Sequence, residues 1–210
     1  AEIKATQNIP VLSYLALGGK CAACKAPISI RYPVVEAVTA LLWVLCGLQF
    51  GVSYALAAAM LLTAVLVVLT AIDLDHQLLP DSLTLPLVWV GLLLNIDNTF
   101  VSLESAVLGA AFGYLCLWAV FWLFKIATGK EGMGHGDFKL LAALGAWFGL
   151  AALPTIVLLS SAVGAFLGVA LIVTGKQDRE TPMPFGPFLA GAGLIHLFYP
   201  NVLLTWVTGA

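Results

Sequence analysis

Charged residues are scarce in this sequence. Only 10% of its 210 residues are Asp, Glu, Lys or Arg, whereas 61% are hydrophobic. A water-soluble domain carries roughly 25% charged residues, so the composition excludes a soluble globular fold. The net charge of −2 and the lack of a basic arm argue against a nucleic-acid partner.

The sequence also has few cysteines, and its first residues lack the features of a signal peptide. The segment 1–33 has neither the apolar core nor the cleavage pattern of a signal peptide, and the chain begins without Met. We expect a processed chain or part of a longer gene product. Of the four cysteines, Cys46 and Cys116 lie in apolar runs, which favours small core residues. The other two, Cys21 and Cys24, form a CxxC pair.

Long uncharged stretches set the fold class. No charged residue occurs in 37–72, 140–175 or 181–210, and one bilayer crossing needs about 20 apolar residues. Breaks at glycines, prolines and charges predict an all-α, polytopic transmembrane bundle of about seven spans. The predicted spans are 34–51, 54–73, 82–96, 102–124, 138–152, 154–175 and 187–207. Segment 1–33 is predicted to be a cytoplasmic region that precedes a membrane domain, 34–210.

The basic residues give this bundle an orientation. Seven crossings place 1–33, 74–81, 125–137 and 176–186 on one side, and all nine Lys and Arg residues lie in or beside these segments. Positive charge in short loops marks the cytoplasmic face, so the N-terminus is predicted to be cytoplasmic.

Two aspartates are predicted to lie at the membrane boundary on that same side. Asp73 follows an apolar run, and acids at membrane depth usually face the bundle interior or a water-filled cavity. Asp137 follows the glycine-rich Gly134-His135-Gly136 and is predicted to open a helix, where the first-turn amides favour a carboxylate. Each acid alone also fits an ordinary helix cap or loop acid.

Together the two acids predict a chemistry. Two carboxylates in one site cannot both ionise easily, so one serves as general base toward water while the other donates a proton. This pattern is typical of an aspartic protease. Two alternatives stay open, namely an ion-coupled transporter that uses paired membrane acids and a non-catalytic assembly subunit.

The CxxC pair, Cys21 and Cys24, supplies half of a tetrahedral zinc site, which needs two more ligands. No second CxxC and no nearby His follow in the sequence. Redox chemistry would require a thioredoxin-like context, and the sequence does not predict one.

Several motifs together resemble the prepilin peptidases, or type IV leader peptidases, which are intramembrane aspartyl proteases with a GxGD motif. Gly134-His-Gly-Asp137 resembles that motif, and Asp73-Leu-Asp-His-Gln-Leu-Leu-Pro-Asp81 resembles the family's first aspartate motif. The remaining matches are Asn8-Ile-Pro-Val-Leu-Ser-Tyr-Leu15, Gly19-Lys-Cys-Ala-Ala-Cys24, Pro27-Ile-Ser-Ile-Arg-Tyr-Pro-Val-Val-Glu36 and Pro184-Phe-Gly-Pro-Phe188.

The resemblance implies an activity and its partners. Asp73 and Asp137 would be the catalytic pair, supported by Gly134, His135 and Gly136, with no cofactor for peptide cleavage. The substrate would be the basic leader of a type IV prepilin or type II secretion pseudopilin, cut after glycine at the cytoplasmic face of a bacterial inner membrane. Cys21 and Cys24 would belong to a four-cysteine metal motif that takes zinc.

The resemblance also extends beyond cleavage. Many members methylate the new N-terminus with S-adenosylmethionine, so that cofactor is expected only in a form that keeps the methyltransferase. Members usually carry an earlier helix and an earlier CxxC, and we expect both in a longer gene product. The sequence predicts no oligomeric state.

Overall fold

The structure is a computed structural model that describes residue 7 and residues 9–130, 132–175 and 183–200. Those residues form helices and turns without a named β-strand, which confirms the predicted all-α class. The helices are α1 (Leu12–Ala16), α2 (Arg31–Phe50), α3 (Tyr54–His76), α4 (Asp81–Leu94), α5 (Leu103–Thr128), α6 (His135–Phe148), α7 (Leu153–Val173) and α8 (Gly186–Phe198). Short 3₁₀ turns, Asn95–Asp97 and Leu150–Ala152, follow α4 and α6.

Helices α2 to α8 correspond in order to the seven predicted spans. Four helical segments are long and apolar enough to cross a membrane, namely Arg31–Phe50, Tyr54–His76, Leu103–Thr128 and Leu150–Val173. The chain is therefore a membrane-integral helical protein. By contrast, α4 and α6 have 14 residues each, which is short for a full crossing. The end of the predicted span 187–207 lies outside the described residues.

The chain comprises two compact units, Ala1–Leu56 and Ala57–Ala210. In the first, the backbone N–H of Val11 donates to the carboxylate of Glu36 at 2.7 Å, which ties the start of α1 to α2. Between these helices the chain folds back on itself, with a bridge between Lys20 and Pro27. The functional division at residue 33 stays a prediction.

The second unit is built around α6. All but one of the residues from Asp137 to Phe148 are buried, because α4, α5 and α8 pack against this helix. A helix that is apolar on every side belongs in the core of a bundle. Burial therefore explains how α6 is stable although it is short.

Glycines let α5 and α6 approach closely. A Cβ atom on Gly109 would overlap the carbonyl group of Gly145, and one on Gly113 would lie 2.7 Å from the carbonyl oxygen of Leu141. Small residues at such crossings allow backbone-to-backbone packing in membrane bundles. The contact sets the register of α6 on α5.

A buried amide holds the far end of α6. The side-chain nitrogen of Asn95 donates to the carbonyl oxygens of Ala146 and Trp147 at 2.9 and 3.1 Å. Its oxygen accepts from the backbone N–H groups of Phe100 and Val101 at 3.0 and 3.1 Å. The side chain therefore satisfies the carbonyls that the end of a helix leaves unpaired.

Candidate active site

Asp73 lies on the buried stripe of α3. In the second unit this stripe comprises Ala58, Ala59, Leu62, Thr63, Leu66, Leu69 and Asp73. Steps of three and four residues place these side chains on one helix face. The carboxylate, only 4% exposed, thus faces the protein interior. Because α3 is apolar on all sides, the sequence could not indicate which face turns inward.

The start of α8 holds the Asp73 carboxylate. The backbone N–H of Gly186 donates to Oδ2 of Asp73 at 3.0 Å, and both groups are buried. A Cβ atom on Gly186 would lie 2.6 Å from that oxygen, so the approach requires glycine. The N-terminus of a helix carries partial positive charge, which stabilises a carboxylate placed there.

Asp137 occupies an equivalent position on α6. It lies in the first turn of a helix that begins at His135, and it is 6% exposed. Its carboxylate lies beside the backbone of Gly134, the N-cap residue, because a Cβ atom there would lie 3.6 Å from Oδ2 of Asp137. An acid at the third helical position often reaches back to the N-cap amide.

Leu79 connects the surroundings of the two acids. A Cβ atom on Gly136 would lie 2.7 Å from Cβ of Leu79, and one on Gly186 would lie 3.1 Å from Cδ1 of Leu79. The leucine therefore packs between the residue before Asp137 and the residue that binds Asp73. The charge of Asp73 acts directly on Asp137. The structure thus brings together the two acids that the sequence singled out.

Neither carboxylate is neutralised by a basic side chain within the ranges that the structure describes. Asp73 accepts a backbone hydrogen bond from Gly186, and the carboxylate of Asp137 lies beside the backbone of Gly134. A carboxylate offers about four acceptor sites, so both acids keep acceptor capacity for water or a substrate. Such an arrangement suits proton transfer better than structural pairing.

His135 has a packing role in this structure. Its ring lies 5.0 Å from that of Phe121 on α5 and 5.4 Å from that of Phe138 on α6, measured between centroids. The contacts anchor the glycine-rich turn to α5. Of the other acids in the first aspartate motif, Asp81 forms an ion pair with Lys139 at 2.5 Å.

The CxxC pair lies at the tip of the turn in the first unit. The N–H of Cys21 donates to the carbonyl of Ala26 at 2.9 Å, and the N–H of Lys25 donates to the carbonyl of Cys21 at 3.0 Å. Backbone hydrogen bonds from Cys24 and then Ala23 lower the pKa of the half-buried Cys21 thiol. N–H groups directed at a thiolate suit a metal ligand.

That pair is nevertheless an incomplete ligand set. No group of three or more His, Cys, Asp or Glu side chains with metal-binding geometry occurs among the described residues. Cys21 and Cys24 therefore fit half of a four-coordinate zinc site. The expectation that Cys116 is a core residue is wrong, because it is exposed, whereas Cys46 is buried as predicted.

The sequence reasoning did not identify Leu79, Gly186 or Glu36 as contributors. Leu79 lies within the first aspartate motif, and Gly186 lies within Pro184-Phe-Gly-Pro-Phe188. Their residue types do not indicate that Leu79 packs between the surroundings of the two acids or that Gly186 donates a backbone hydrogen bond. Glu36 follows the same pattern, because its partner is a backbone amide.

Two family models match this chain. The family model "Type IV leader peptidase family" matches residues 60–169, and "Bacterial Peptidase A24 N-terminal domain" matches residues 1–50. No solved structure matches the chain.

Similar proteins carry the name prepilin leader peptidase/N-methyltransferase. One from Aeromonas hydrophila is 57% identical over 97% of this chain and 70% of its own length. One from Pseudomonas aeruginosa is 57% identical over 94% of this chain and 68% of its own length. One from Legionella pneumophila is 49% identical over 100% of this chain and 73% of its own length. This chain belongs to the type IV leader peptidase family.

Proposed function

We propose that the chain is a prepilin leader peptidase whose catalytic groups are the carboxylates of Asp73 and Asp137. The observation that carries the assignment is the placement of two buried acids at neighbouring helix N-termini, without a basic partner in the described chain. The family membership and the names of the relatives support prepilin cleavage.

The reaction follows from a carboxylate pair that shares one proton. The ionised acid removes a proton from water while the water oxygen attacks the scissile carbonyl carbon. The protonated acid donates to the carbonyl oxygen, which gives a tetrahedral diol. The acid that took the proton from water then donates it to the amide nitrogen as the C–N bond breaks. The other acid removes a proton from a diol hydroxyl, which forms the product carboxylic acid and returns the pair to one protonated and one ionised group. The two acids titrate as a unit, so the mechanism is written for the pair.

The proposed substrate and location extend beyond the family assignment. The substrate is a leader of prepilin or pseudopilin type, cut after glycine. The proposed location is the inner membrane with a cytoplasmic N-terminus, because all nine Lys and Arg residues lie in or beside segments assigned to one side. This orientation puts both acids at the cytoplasmic face.

The ion-coupled transporter is not supported. The matching family model and the similar proteins named above are leader peptidases by name. In addition, both acids lie near helix ends, at the last turn of α3 and the first turn of α6. Transporters of the broken-helix type place their ion sites near the membrane midplane.

The test is cleavage of a synthetic prepilin-type peptide by the purified chain, with the masses of both products measured. We expect cutting after glycine, and a loss of about 10²–10⁴-fold in kcat for Asp73→Asn or Asp137→Asn. Asp97→Asn, an identical change at an exposed site in the turn after α4, is the control and should keep wild-type turnover. Full turnover by either test variant would contradict the assignment.

For the cysteines, we propose that Cys21 and Cys24 supply two zinc ligands, with the remaining ligands outside the described residues. When bound, the metal would stabilise the turn and take no part in peptide cleavage. Metal analysis of the intact gene product should give about one zinc per chain, and Cys21→Ser should abolish it. A metal-free intact protein would contradict this proposal. S-adenosylmethionine is expected only where methyltransferase activity is retained.

A further inference from the structure

An apolar groove lies in the second unit between α5, α7 and the start of α8. Its volume is about 400 Å³, within the range typical of ligand-binding cavities. Helix α5 packs mainly on α6, and α7 packs mainly on α8, so the groove occupies the space between the two pairs. Its walls include Cys116, Val120, Ser161, Gly164, Met183 and Phe188.

The wall chemistry suits an apolar chain with side chains of varied shape. Ser161, Gly164 and Ala165 line the groove from α7 with small side chains, and Cys116 lines it from α5. Met133 lines another part of the groove, and methionine side chains adapt to differing partners because they are flexible and polarisable. A second cavity of about 150 Å³ shares Val120 and Met133 with the groove and extends its apolar surface toward Phe124.

Two segments connect the groove to the proposed active site. Met133, a wall residue, directly precedes Gly134, which lies beside the Asp137 carboxylate. Phe185, another wall residue, directly precedes Gly186, whose N–H binds the Asp73 carboxylate. Two wall residues of the groove are thus sequence neighbours of the residues that contact the acids.

From this continuity we infer that the groove binds the apolar segment of the peptide substrate that adjoins the scissile bond. The inference rests on the proposed function, and it adds the surface that selects the substrate. A peptide bond held between the acids must continue as polypeptide in at least one direction. The groove supplies an apolar path that begins at the turn before Asp137 and at the turn whose Gly186 binds Asp73.

The first test fills the groove from the α7 wall. Ala165→Trp should lower kcat/KM by about tenfold or more, through KM, for a peptide that retains a long apolar segment. The same variant should cleave a peptide truncated a few residues beyond the scissile bond at the wild-type rate. Ala162→Trp is the matched control, because Ala162 is exposed on the same helix and does not line the groove.

The outcomes of this test are distinct. A loss confined to the long peptide and to Ala165→Trp supports the inference. No loss, or equal loss on both peptides, overturns it. If the wild-type chain cleaves neither peptide, the proposed function fails. The second test then decides whether the groove binds the peptide.

The second test measures occupancy without catalysis. An Asp73→Asn chain that also carries Cys21→Ser and Cys24→Ser, which removes the accessible thiols outside the groove, is mixed with a long peptide that carries an activated disulfide on a cysteine in its apolar segment. Exchange with the Cys116 thiol, which is exposed in the groove, should link peptide to protein and release the activating thiol. Cys116→Ala should remove the link while the chain remains folded. Failure to link, or a link that persists in Cys116→Ala, overturns the inference.

A lipid acyl chain is the competing occupant. A fatty-acyl probe with the same activated disulfide is offered in excess lipid, with and without the long peptide. Displacement of the probe by the peptide supports the inference. Labelling of Cys116 that the peptide does not reduce assigns the groove to lipid and overturns it.

Discussion

The two ends of α6 each bury polar groups, and they do so in opposite ways. At the C-terminal end, the amide of Asn95 donates two hydrogen bonds and accepts two. At the N-terminal end, Asp73 accepts a hydrogen bond from the amide of Gly186, Asp137 lies beside Gly134, and both carboxylates keep acceptor capacity. A saturated buried group stabilises a fold, whereas a partly satisfied one is available for chemistry. The comparison predicts that mutations at the first end change stability and those at the second change activity.

The largest effect in these predictions is expected at Gly186. A Cβ atom in Gly186→Ala would overlap Oδ2 of Asp73, so the carboxylate must move from its position at the start of α8. A displacement of about 1 Å in a catalytic group typically costs about 10²-fold in rate. We expect that loss in kcat, measured by peptide cleavage, without loss of the folded protein.

A matched control lies on the same helix. Gly191→Ala introduces a Cβ atom that meets nothing within 4 Å. It should leave kcat unchanged. If both variants lose activity equally, the effect belongs to α8 as a whole and not to the Gly186 contact with Asp73.

Substitution of Asn95 should have the opposite effect to Gly186→Ala: it should lower stability and leave activity unchanged. Asn95→Ala removes partners from the carbonyls of Ala146 and Trp147 and from two N–H groups near the following turn. Leaving buried polar groups unpaired should lower the free energy of unfolding by about 2–3 kcal/mol. The variant should melt earlier in detergent, yet turnover per folded molecule should match wild type. A large fall in kcat with unchanged stability would contradict the comparison.

The smallest effect is expected for the ion pair between Lys139 and Asp81. Its side chains are 25% and 57% exposed, so water and salt screen the attraction. Lys139→Met should change the free energy of unfolding by less than about 1 kcal/mol. The change should shrink further in high salt, as thermal unfolding at two ionic strengths would reveal.

The order and approximate bounds of the helices were predicted well from the sequence alone. They depend on the length of the apolar runs and on the charged residues that interrupt them. The apolar runs gave seven helices in the correct order, and the GxGD and first aspartate motifs identified Asp73 and Asp137. Sequence did not predict how α6 is stable at 14 residues, because its stability comes from burial by α4, α5 and α8.

The detailed contacts around the two acids could not be predicted from the sequence, for a different reason. The N–H of Gly186, the wedge formed by Leu79 and the apolar groove arise from contacts between segments far apart in the chain. A backbone donor has no residue type to reveal it. The expectation that Cys116 is buried failed likewise, because an apolar neighbourhood in sequence does not distinguish a core face from a groove wall.

The most direct test of the central claim, that Asp73 and Asp137 act as one unit, is a double-mutant cycle on kcat. Peptide cleavage is measured for wild type, Asp73→Asn, Asp137→Asn and the double variant, all verified as folded. Residues that act together lose activity non-additively. We predict that the double variant is no slower than the slower single variant. A double variant whose loss in kcat equals the product of the two single losses would contradict the account. Near-normal turnover in either single variant would contradict it as well.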